Sequence, residues 1–146
     1  MNACNSMGYT AIHVASKYGH INILRLLLDE GAIINVRTYT DHYMPIHLAC
    51  MYQKVPIVKE LLKCGNCDVD ETDSKGNTAL FYACCQNDAK LTEILVNEGA
   101  KTDIKNKSGK TPFNVAESNL CYGVLEVLKS HVDGKNIKTN INSNSL

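Results

Sequence analysis

Apolar and polar positions along this chain repeat with a long and regular period. A six-residue phrase, with an apolar residue and an alanine three positions apart, recurs at steps of 34, 34 and 33 residues, at 10–15, 44–49, 78–83 and 111–116. A leucine follows each of these alanines at the same distance, at Leu27, Leu61, Leu95 and Leu128. A fixed period of this length is typical of a chain built from stacked supersecondary units. The pattern therefore predicts a repeat solenoid whose function lies on a repeated surface rather than in one enclosed cleft.

The recurring phrase predicts a short first helix in each unit. Ile12 and Ala15 stand at i and i+3, which places them on one helical face. Thr10 precedes the apolar run, where its side chain can cap the first backbone N–H groups. Gly19 in the first unit and Asn87 in the third follow the phrase, and both residue types tolerate a left-handed conformation. We therefore expect this helix to last two to three turns and to end at that slot.

A second apolar stripe follows within a few residues and predicts a second helix. In the first unit it reads Ile23-Leu24-x-x-Leu27-Leu28, which is wide enough to contact a neighbour on each side. Pro56 falls in the first turn of this helix in the second unit, where a missing N–H costs little. The polar stretch after each second helix should form the turn or hairpin that leads to the next unit.

Four such units account for most of the 146 residues. We expect one repeat domain over 1–132, with repeats at about 5–37, 38–71, 72–104 and 105–132, here called units one to four. The segment 133–146 is rich in asparagine, serine and lysine, so it cannot bury enough apolar surface to order itself and is expected to be a disordered tail. No polar cap precedes the first unit, so Ile12, Val14 and Ile23 are expected to be only partly covered.

The units resemble ankyrin repeats, whose common phrase is Gly-x-Thr-Pro-Leu-His-x-Ala, followed by Gly-His and by Leu-Leu-x-x-Gly-Ala. The first unit matches most fully, with Gly8, Thr10, His13, Ala15, Gly19, His20, Leu27, Leu28, Gly31 and Ala32. The resemblance covers about nine tenths of the chain. It implies an all-α solenoid of stacked helix-turn-helix repeats with hairpin or loop fingers projecting to one side. The concave groove of such a stack binds other proteins.

Two units depart from the ankyrin pattern. In unit two, Met44 stands in the capping slot and His42 in the turn-glycine slot, and one extra residue precedes them, so the finger between units one and two should be irregular. In unit four, Asn114 replaces the histidine, Leu120 the helix-ending glycine and Lys129 the second leucine. Such polar substitutions suit a terminal unit that has no following neighbour.

Charge and hydropathy argue against binding to nucleic acid or to a membrane. Fifteen acidic and fifteen basic residues cancel, so no global charge attracts the chain to nucleic acid or to an anionic membrane. No apolar run approaches the roughly 20 residues that span a bilayer, and the first residues lack the basic start and apolar core of a signal peptide. We therefore expect an intracellular protein, in the cytoplasm or the nucleus, that binds neither nucleic acid nor membrane.

The chain contains seven cysteines. The count of seven is odd, and Cys50 and Cys84 occupy the small-residue slot that Ser16 fills in unit one, so these thiols are interpreted as packing residues in a reducing compartment. The alternative is a zinc or redox site built from Cys64, Cys67, Cys84 and Cys85. Because the second pair is adjacent rather than a second Cys-x-x-Cys, the packing interpretation is favoured and no metal or cofactor is predicted.

The histidines do not indicate catalysis. His13 and His47 recur in the same internal slot, and in ankyrin repeats a histidine there holds neighbouring turns together by hydrogen bonds. The chain contains no phosphate-cradling glycine loop, no nucleophile elbow and no recurring pair of carboxylates with a base. We therefore predict that the protein is not an enzyme.

The resemblance also locates a candidate binding surface. In ankyrin repeats the groove is lined by finger positions that flank the turn glycine and by the variable residues after the alanine. In this chain those positions give Tyr9, Tyr18, Tyr39, Tyr43, Met51, Tyr52, Lys75, Asn77, Gln86, Lys107 and Lys110, with Lys17 and Asp41 beside them. Five of the seven tyrosines fall in units one and two, and the lysines make the last finger basic. Aromatic residues commonly dominate interface energy, so we expect a partner protein to insert an apolar or aromatic segment near the tyrosines while its acidic groups meet the lysines.

Three functions remain open. The favoured one is a small adaptor or inhibitor that masks a partner protein, most simply as a monomer. A sharper version is a viral or pathogen protein that inhibits a host NF-κB-type transcription factor, as small IκB-like ankyrin proteins do. The third is a structural fragment of a longer array, which would self-associate through the exposed first unit.

Overall fold

The computed structural model describes residues 3–131, and within that range the chain forms eight short helices. They are α1 (Ala11–Tyr18), α2 (Ile21–Asp29), α3 (Pro45–Met51), α4 (Val55–Lys63), α5 (Ala79–Cys85), α6 (Ala89–Asn97), α7 (Pro112–Ser118) and α8, at residues 122–131. Over the same range there is no strand, and Cys4 and Thr10 form an isolated bridge. The prediction of an all-α repeat solenoid is confirmed, and the predicted tail at 133–146 lies outside the described residues.

The helices form two rows. The first helices α1, α3, α5 and α7 pack one against the next, and α2, α4 and α6 pack on the first helix of their own unit. The core runs between the rows along the whole stack and contains the periodic leucines of units two to four, Leu61, Leu95 and Leu128. Because α1 to α7 have only seven to nine residues, none would be stable alone, and their burial against one another holds them.

The turn between the two helices of each unit requires a left-handed residue. Gly19, Gln53, Asn87 and Leu120 occupy this slot with φ between 54° and 74°. The prediction that the first helix ends at Gly19 and at Asn87 is confirmed. The slot is set by geometry rather than by residue type, because a leucine adopts the same φ in unit four at a conformational cost of about 1–2 kcal/mol.

Three of the four fingers are built around a side chain that accepts two backbone hydrogen bonds. Asn5, Asp73 and Asn106 each use one side-chain oxygen to accept the N–H groups two and four residues ahead. Backbone bonds then join neighbouring fingers, from Tyr39 N–H to the Met7 carbonyl (3.0 Å), Ser74 N–H to Asp41 (2.9 Å) and Lys107 N–H to Lys75 (3.0 Å). The fingers therefore form a continuous row.

The finger of unit two is irregular, as its sequence predicted. Its closing bond runs from Thr38 N–H to the Tyr43 carbonyl, five residues ahead, whereas the bond from Asp73 N–H reaches Asn77, four residues ahead. The Thr38 hydroxyl takes the place of the carboxamide or carboxylate and accepts Tyr43 N–H at 2.9 Å. His42 adopts φ 55°, so it fills the left-handed glycine slot despite its side chain. The extra residue therefore enlarges the finger and leaves the helices in register.

His13 and His47 join segments that are distant in sequence through their rings, which confirms their structural interpretation. The Nδ1 atoms accept the N–H groups of Thr10 (3.0 Å) and Met44 (2.9 Å), so each Nε2 carries the hydrogen. His13 Nε2–H faces the carbonyl of Tyr43 at 2.8 Å, and His47 Nε2–H donates to that of Glu71 at 2.9 Å. His13 thus ties the start of α1 to the finger of unit two, and His47 ties the start of α3 to the loop at the end of unit two.

Of the three apolar side chains in unit one that were expected to be partly exposed, one is buried. Ile12 is buried, so the prediction that it is only partly covered is wrong. Ile12 belongs to the hydrophobic core together with Ala15, which lies three residues further along the same face of α1, and α1 packs against α3. The prediction is confirmed for Val14 and Ile23, which are both exposed on the opposite side.

The buried histidines make stability depend on pH. Desolvation by burial lowers the pKa of His13 and of His47 from 6.5. Below that pH the unfolded chain binds protons that the folded chain does not, so the free energy of unfolding should fall as pH is lowered from about 7 to about 5. The slope is at most about 1.4 kcal/mol per pH unit for each histidine. Urea unfolding at a series of pH values measures it.

His47→Asn is the matched control for this pH dependence. Unit four already carries Asn114 in the slot, and its Oδ1 accepts Thr111 N–H at 3.0 Å, so asparagine keeps the helix cap. The Glu71 carbonyl loses its donor, and we expect the variant to be about 1–3 kcal/mol less stable at neutral pH. Its stability should vary less with pH, and an unchanged slope would contradict the role assigned to His47.

Candidate functional site

Two predicted tyrosines lie on either side of a lysine at the junction of units one and two. Tyr18 ends α1 and Tyr52 follows α3 directly, and both rings are exposed. The Lys17 ammonium lies 5.4 Å from the centre of the Tyr18 ring and 5.2 Å from that of Tyr52. A cation over an aromatic face is attracted by about 0.5–1 kcal/mol at an exposed site. Lys17 therefore makes a weak attractive contact with two large exposed rings from neighbouring units.

Two further tyrosines lie deeper at the same junction. Tyr9 and Tyr43 are half-buried, and desolvation by burial raises the pKa of both, with the negative charge of Asp41 adding to the effect. The positive charge of Lys17 opposes this effect and lowers the pKa of Tyr9. The centre of the Tyr9 ring is 5.6 Å from that of the His13 ring. Tyr9, Tyr18, Tyr43, Tyr52 and Lys17 are called the aromatic cluster below.

Tyr82 supports the cluster from unit three and was missed by the sequence prediction. Its ring meets that of Tyr43 edge-on, with centres 6.5 Å apart. Its hydroxyl donates to the Asp73 carboxylate and accepts from the Asn77 amide at 3.2 Å, and burial raises its pKa, so it stays protonated. The available signal was its slot, because the equivalent residues are the aliphatic Val14, Leu48 and Val115.

Tyr39 packs on the finger of unit one. Its exposed ring lies against Gly8, where an added Cβ would stand 2.7 Å from a ring carbon, so a side chain at Gly8 would displace it. Its hydroxyl lies 2.9 Å from Cys4 Sγ. Tyr39 is therefore held at the outer edge of the row of fingers.

The remaining predicted residues are spread along units two to four. Lys75, Lys107 and Lys110 are exposed and form no ion pair with any residue between 3 and 131. Gln86 is exposed just after α5, and Met51 is half-buried at the end of α3. Lys75, Lys107, Lys110 and Gln86 thus offer exposed basic and polar side chains in units three and four.

Asn77 belongs to the interior rather than to an accessible surface. It is 7% exposed, and its side chain is used twice, in donating to the Tyr82 hydroxyl and in accepting from the Asn106 amide at 2.9 Å. The sequence placed it next to the turn glycine, where ankyrin groove residues lie. The prediction that Asn77 contacts a partner is therefore corrected, because its polar atoms already join the fingers of units three and four.

Two family models match the chain. One, described as ankyrin repeats (3 copies), matches residues 46–142, and another, for a single ankyrin repeat, matches residues 7–39. The chain belongs to the ankyrin repeat family. Ankyrin repeats are protein-interaction modules and generally have no enzymatic activity. The prediction that this chain is a protein-interaction module is therefore confirmed at the level of the family.

The relatives of this ankyrin repeat protein are diverse. It is 32% identical to ankyrin repeat protein FPV034 of Fowlpox virus (strain NVSL) over 86% of the chain and 29% of that protein. It is 29% identical to human transient receptor potential cation channel subfamily A member 1, over 88% of the chain and 11% of the channel. It is 33% identical to NF-kappa-B inhibitor cactus of Drosophila melanogaster, over 67% of the chain and 20% of cactus. The chain thus spans about three tenths or less of the length of these relatives.

The cysteines of this ankyrin repeat protein differ sharply in exposure. Cys50 and Cys84 are fully buried in the slot that Ser16 fills in unit one, and burial raises the pKa of Cys84 to about 12. Cys4 and Cys64 are exposed. Between residues 3 and 131, no three side chains of His, Cys, Asp or Glu are grouped so that they could hold a metal ion. In the described part of the chain, no helix is long and apolar enough to cross a membrane.

Thiol alkylation should follow this exposure pattern. At mildly alkaline pH, iodoacetamide should modify Cys4 and Cys64 first, and Cys84 about a hundredfold or more slowly, because alkylation requires an accessible thiolate. Peptide mass spectrometry over time measures each site, and the same reaction in urea is the control, since unfolding should equalise the rates. Rapid modification of Cys84 in the folded protein would contradict the buried packing role.

Proposed function

We propose that this chain masks a surface of a partner protein through its groove side, as a small inhibitor or adaptor. The observation that carries the proposal is the aromatic cluster, which joins units one and two. Tyr18 and Tyr52 are 57% and 47% exposed, and the Lys17 ammonium lies 5.4 Å and 5.2 Å from their ring centres. Tyrosine side chains have few rotatable bonds, so they lose little side-chain entropy on binding, and such residues commonly supply most of the affinity of an interface.

The charges of the groove side suggest the chemistry of the partner. Lys17, Lys75, Lys107 and Lys110 form no ion pair with any described residue, and Asp41 is the acidic side chain among the accessible positions that the sequence assigned to the groove. A partner that brings an apolar or aromatic segment to the cluster and carboxylates to the lysines would complement this surface. The proposal involves no catalytic step and no cofactor.

A narrower candidate is inhibition of an NF-κB-type transcription factor in the cytoplasm or nucleus. It is supported by the similarity to NF-kappa-B inhibitor cactus over two thirds of the chain, and its viral form by the similarity to the fowlpox virus protein. An inhibitor of this kind acts by occupying the partner's surface. Four stacked units and their fingers can do this by binding alone, without catalysis.

Tyr52→Ala should weaken partner binding about tenfold or more, because it removes an exposed ring from the centre of the aromatic cluster. The partner to use is a purified NF-κB dimer, with the dissociation constant measured by titration calorimetry. Tyr122→Ala is the matched control, since Tyr122 is 67% exposed and lies at the start of α8, in unit four. Circular dichroism should show that both variants remain folded.

The outcomes separate the narrow candidate from the broad one. If the unchanged chain does not bind NF-κB, that candidate is wrong, and the same pair of variants is tested on a partner recovered by affinity capture and then purified. If Tyr52→Ala binds its partner as tightly as the unchanged chain does, the aromatic cluster is not the binding site.

The finger lysines should contribute mainly at low ionic strength. Lys107→Gln and Lys110→Gln should each weaken binding about two- to fivefold in low salt and much less in high salt, because exposed charges are screened. Lys59→Gln and Lys90→Gln, exposed on α4 and α6, are the controls and should change affinity little. Equal losses for both pairs would indicate a general charge effect rather than contact with the fingers.

A further inference from the structure

Of the four units, only unit three carries a polar group in the slot of Tyr82. The counterparts are Val14, Leu48 and Val115, so an aliphatic side chain is sufficient to pack this position in the other units. Tyr82 is half-buried, and its hydroxyl therefore needs hydrogen-bond partners within the protein wherever water does not reach it. Those partners indicate what the tyrosine contributes to unit three.

The Tyr82 hydroxyl lies at the centre of a network of side chains. It donates to the Asp73 carboxylate and accepts from the Asn77 amide at 3.2 Å. The side-chain oxygen of Asn77 in turn accepts from the Asn106 amide at 2.9 Å. Asp73 and Asn77 are 5% and 7% exposed, so a lost partner could not be replaced readily by water. Tyr82, Asp73, Asn77 and Asn106 are called the polar network.

The polar network fixes the backbone of the two fingers that carry the finger lysines, Lys75, Lys107 and Lys110. In the finger of unit three, the Asp73 carboxylate accepts the N–H of Lys75 at 2.9 Å. In the finger of unit four, the side-chain oxygen of Asn106 accepts the N–H of Lys110 at 3.0 Å. A bond of 3.0 Å from the Lys107 N–H to the Lys75 carbonyl joins the two fingers. The finger lysines therefore stand on backbone that the polar network holds in place.

The ring of Tyr82 faces the aromatic cluster. Its centre is 6.5 Å from that of Tyr43 and 6.4 Å from that of His47, and both contacts are edge-on. One side chain thus contacts the aromatic cluster through its ring and holds the fingers of units three and four through its hydroxyl. Tyr82 is the physical link between the two parts of the candidate binding surface.

We propose that Tyr82 is a positioning residue, whose hydroxyl fixes the finger lysines relative to the aromatic cluster so that a partner's apolar segment and its carboxylates are bound together. This inference rests on the proposed function, because it concerns the same surface. A ring without the hydroxyl still packs beside Tyr43, but the Asp73 carboxylate then loses a donor and the Asn77 amide an acceptor. The fingers become less ordered, and their lysines contribute less to binding.

Hydrogen exchange of the free chain tests this role without a partner. In Tyr82→Phe, the N–H groups of Lys75 and Asn77, next to the lost hydroxyl, should exchange about tenfold faster or more. The N–H groups of Ser108 and Lys110, at the far end of the polar network, should exchange about threefold faster or more. A purely local role of the hydroxyl would leave Ser108 and Lys110 unchanged, and that result overturns the proposal.

Two comparisons separate this effect from a general loss of stability. Tyr122→Phe removes the hydroxyl of an exposed tyrosine in unit four and should leave exchange in the fingers unchanged. In Tyr82→Phe, the N–H of Leu95, within the buried side of α6, should be accelerated much less than that of Lys110, because fingers open locally while the helices stay packed. Equal acceleration at Leu95 and Lys110 overturns the proposal.

Non-additive binding is the second test, made with a purified NF-κB dimer or, if that does not bind, with the captured and purified partner. At low salt, Lys107→Gln should weaken binding about two- to fivefold in the unchanged chain, but less than about 1.5-fold in Tyr82→Phe, where the lysine is no longer held in position. Two losses that simply multiply overturn the proposal, because a mere loss of stability gives that result. Absence of any binding partner contradicts the proposed function instead, and the exchange rates then decide the role of Tyr82.

Discussion

Burial of aliphatic side chains between successive helix pairs is the constraint on which the rest of this structure depends. Helices of seven to nine residues are marginal in water, since nucleation is unfavourable and few hydrogen bonds follow it. Ile57 and Leu91 are fully buried between neighbouring units, so each unit stabilises the next. The stability of such a stack is close to a sum of terms between neighbouring units. Units one and four each have one neighbour in the described stack, so they are the least covered.

The candidate binding surface is built directly on this interior. His13 lies inside unit one, and its Nε2 holds the carbonyl of Tyr43, which belongs to the finger of unit two. Tyr82 supports Tyr43 from unit three and is itself fixed by Asp73, the side chain around which the third finger turns. The aromatic cluster is thus ordered by three units at once. Ordered aromatic side chains at a surface are suited to recognition because little freedom is lost on binding.

The two halves of the described stack differ in surface chemistry. Units one and two present aromatic rings around one lysine, while the fingers of units three and four present three lysines that form no ion pair with described residues. The chain's balanced charge of fifteen acidic and fifteen basic residues conceals this separation. Family membership indicates that proteins are the ligands, and the local chemistry suggests which groups a partner brings to each part of the surface.

Much of the fold could be read from the sequence, because its period of 33 or 34 residues repeats local signals four times. The helix pairs, the left-handed turns at Gly19 and Asn87 and the irregular second finger follow from residues close together in the chain, whereas the roles of His13 and His47 were implied by the resemblance to ankyrin repeats. Burial could not be read in this way, because it depends on neighbours a full repeat away. Only the tertiary structure places Ile12 and Asn77 inside, brings Tyr82 beneath Tyr43 and sets Lys17 between two rings. Local hydrogen bonds and hydrophobic periodicity depend on residues a few positions apart, so the sequence shows them directly. The exposure of a side chain depends on whether a neighbouring unit packs over it, so it requires the tertiary structure.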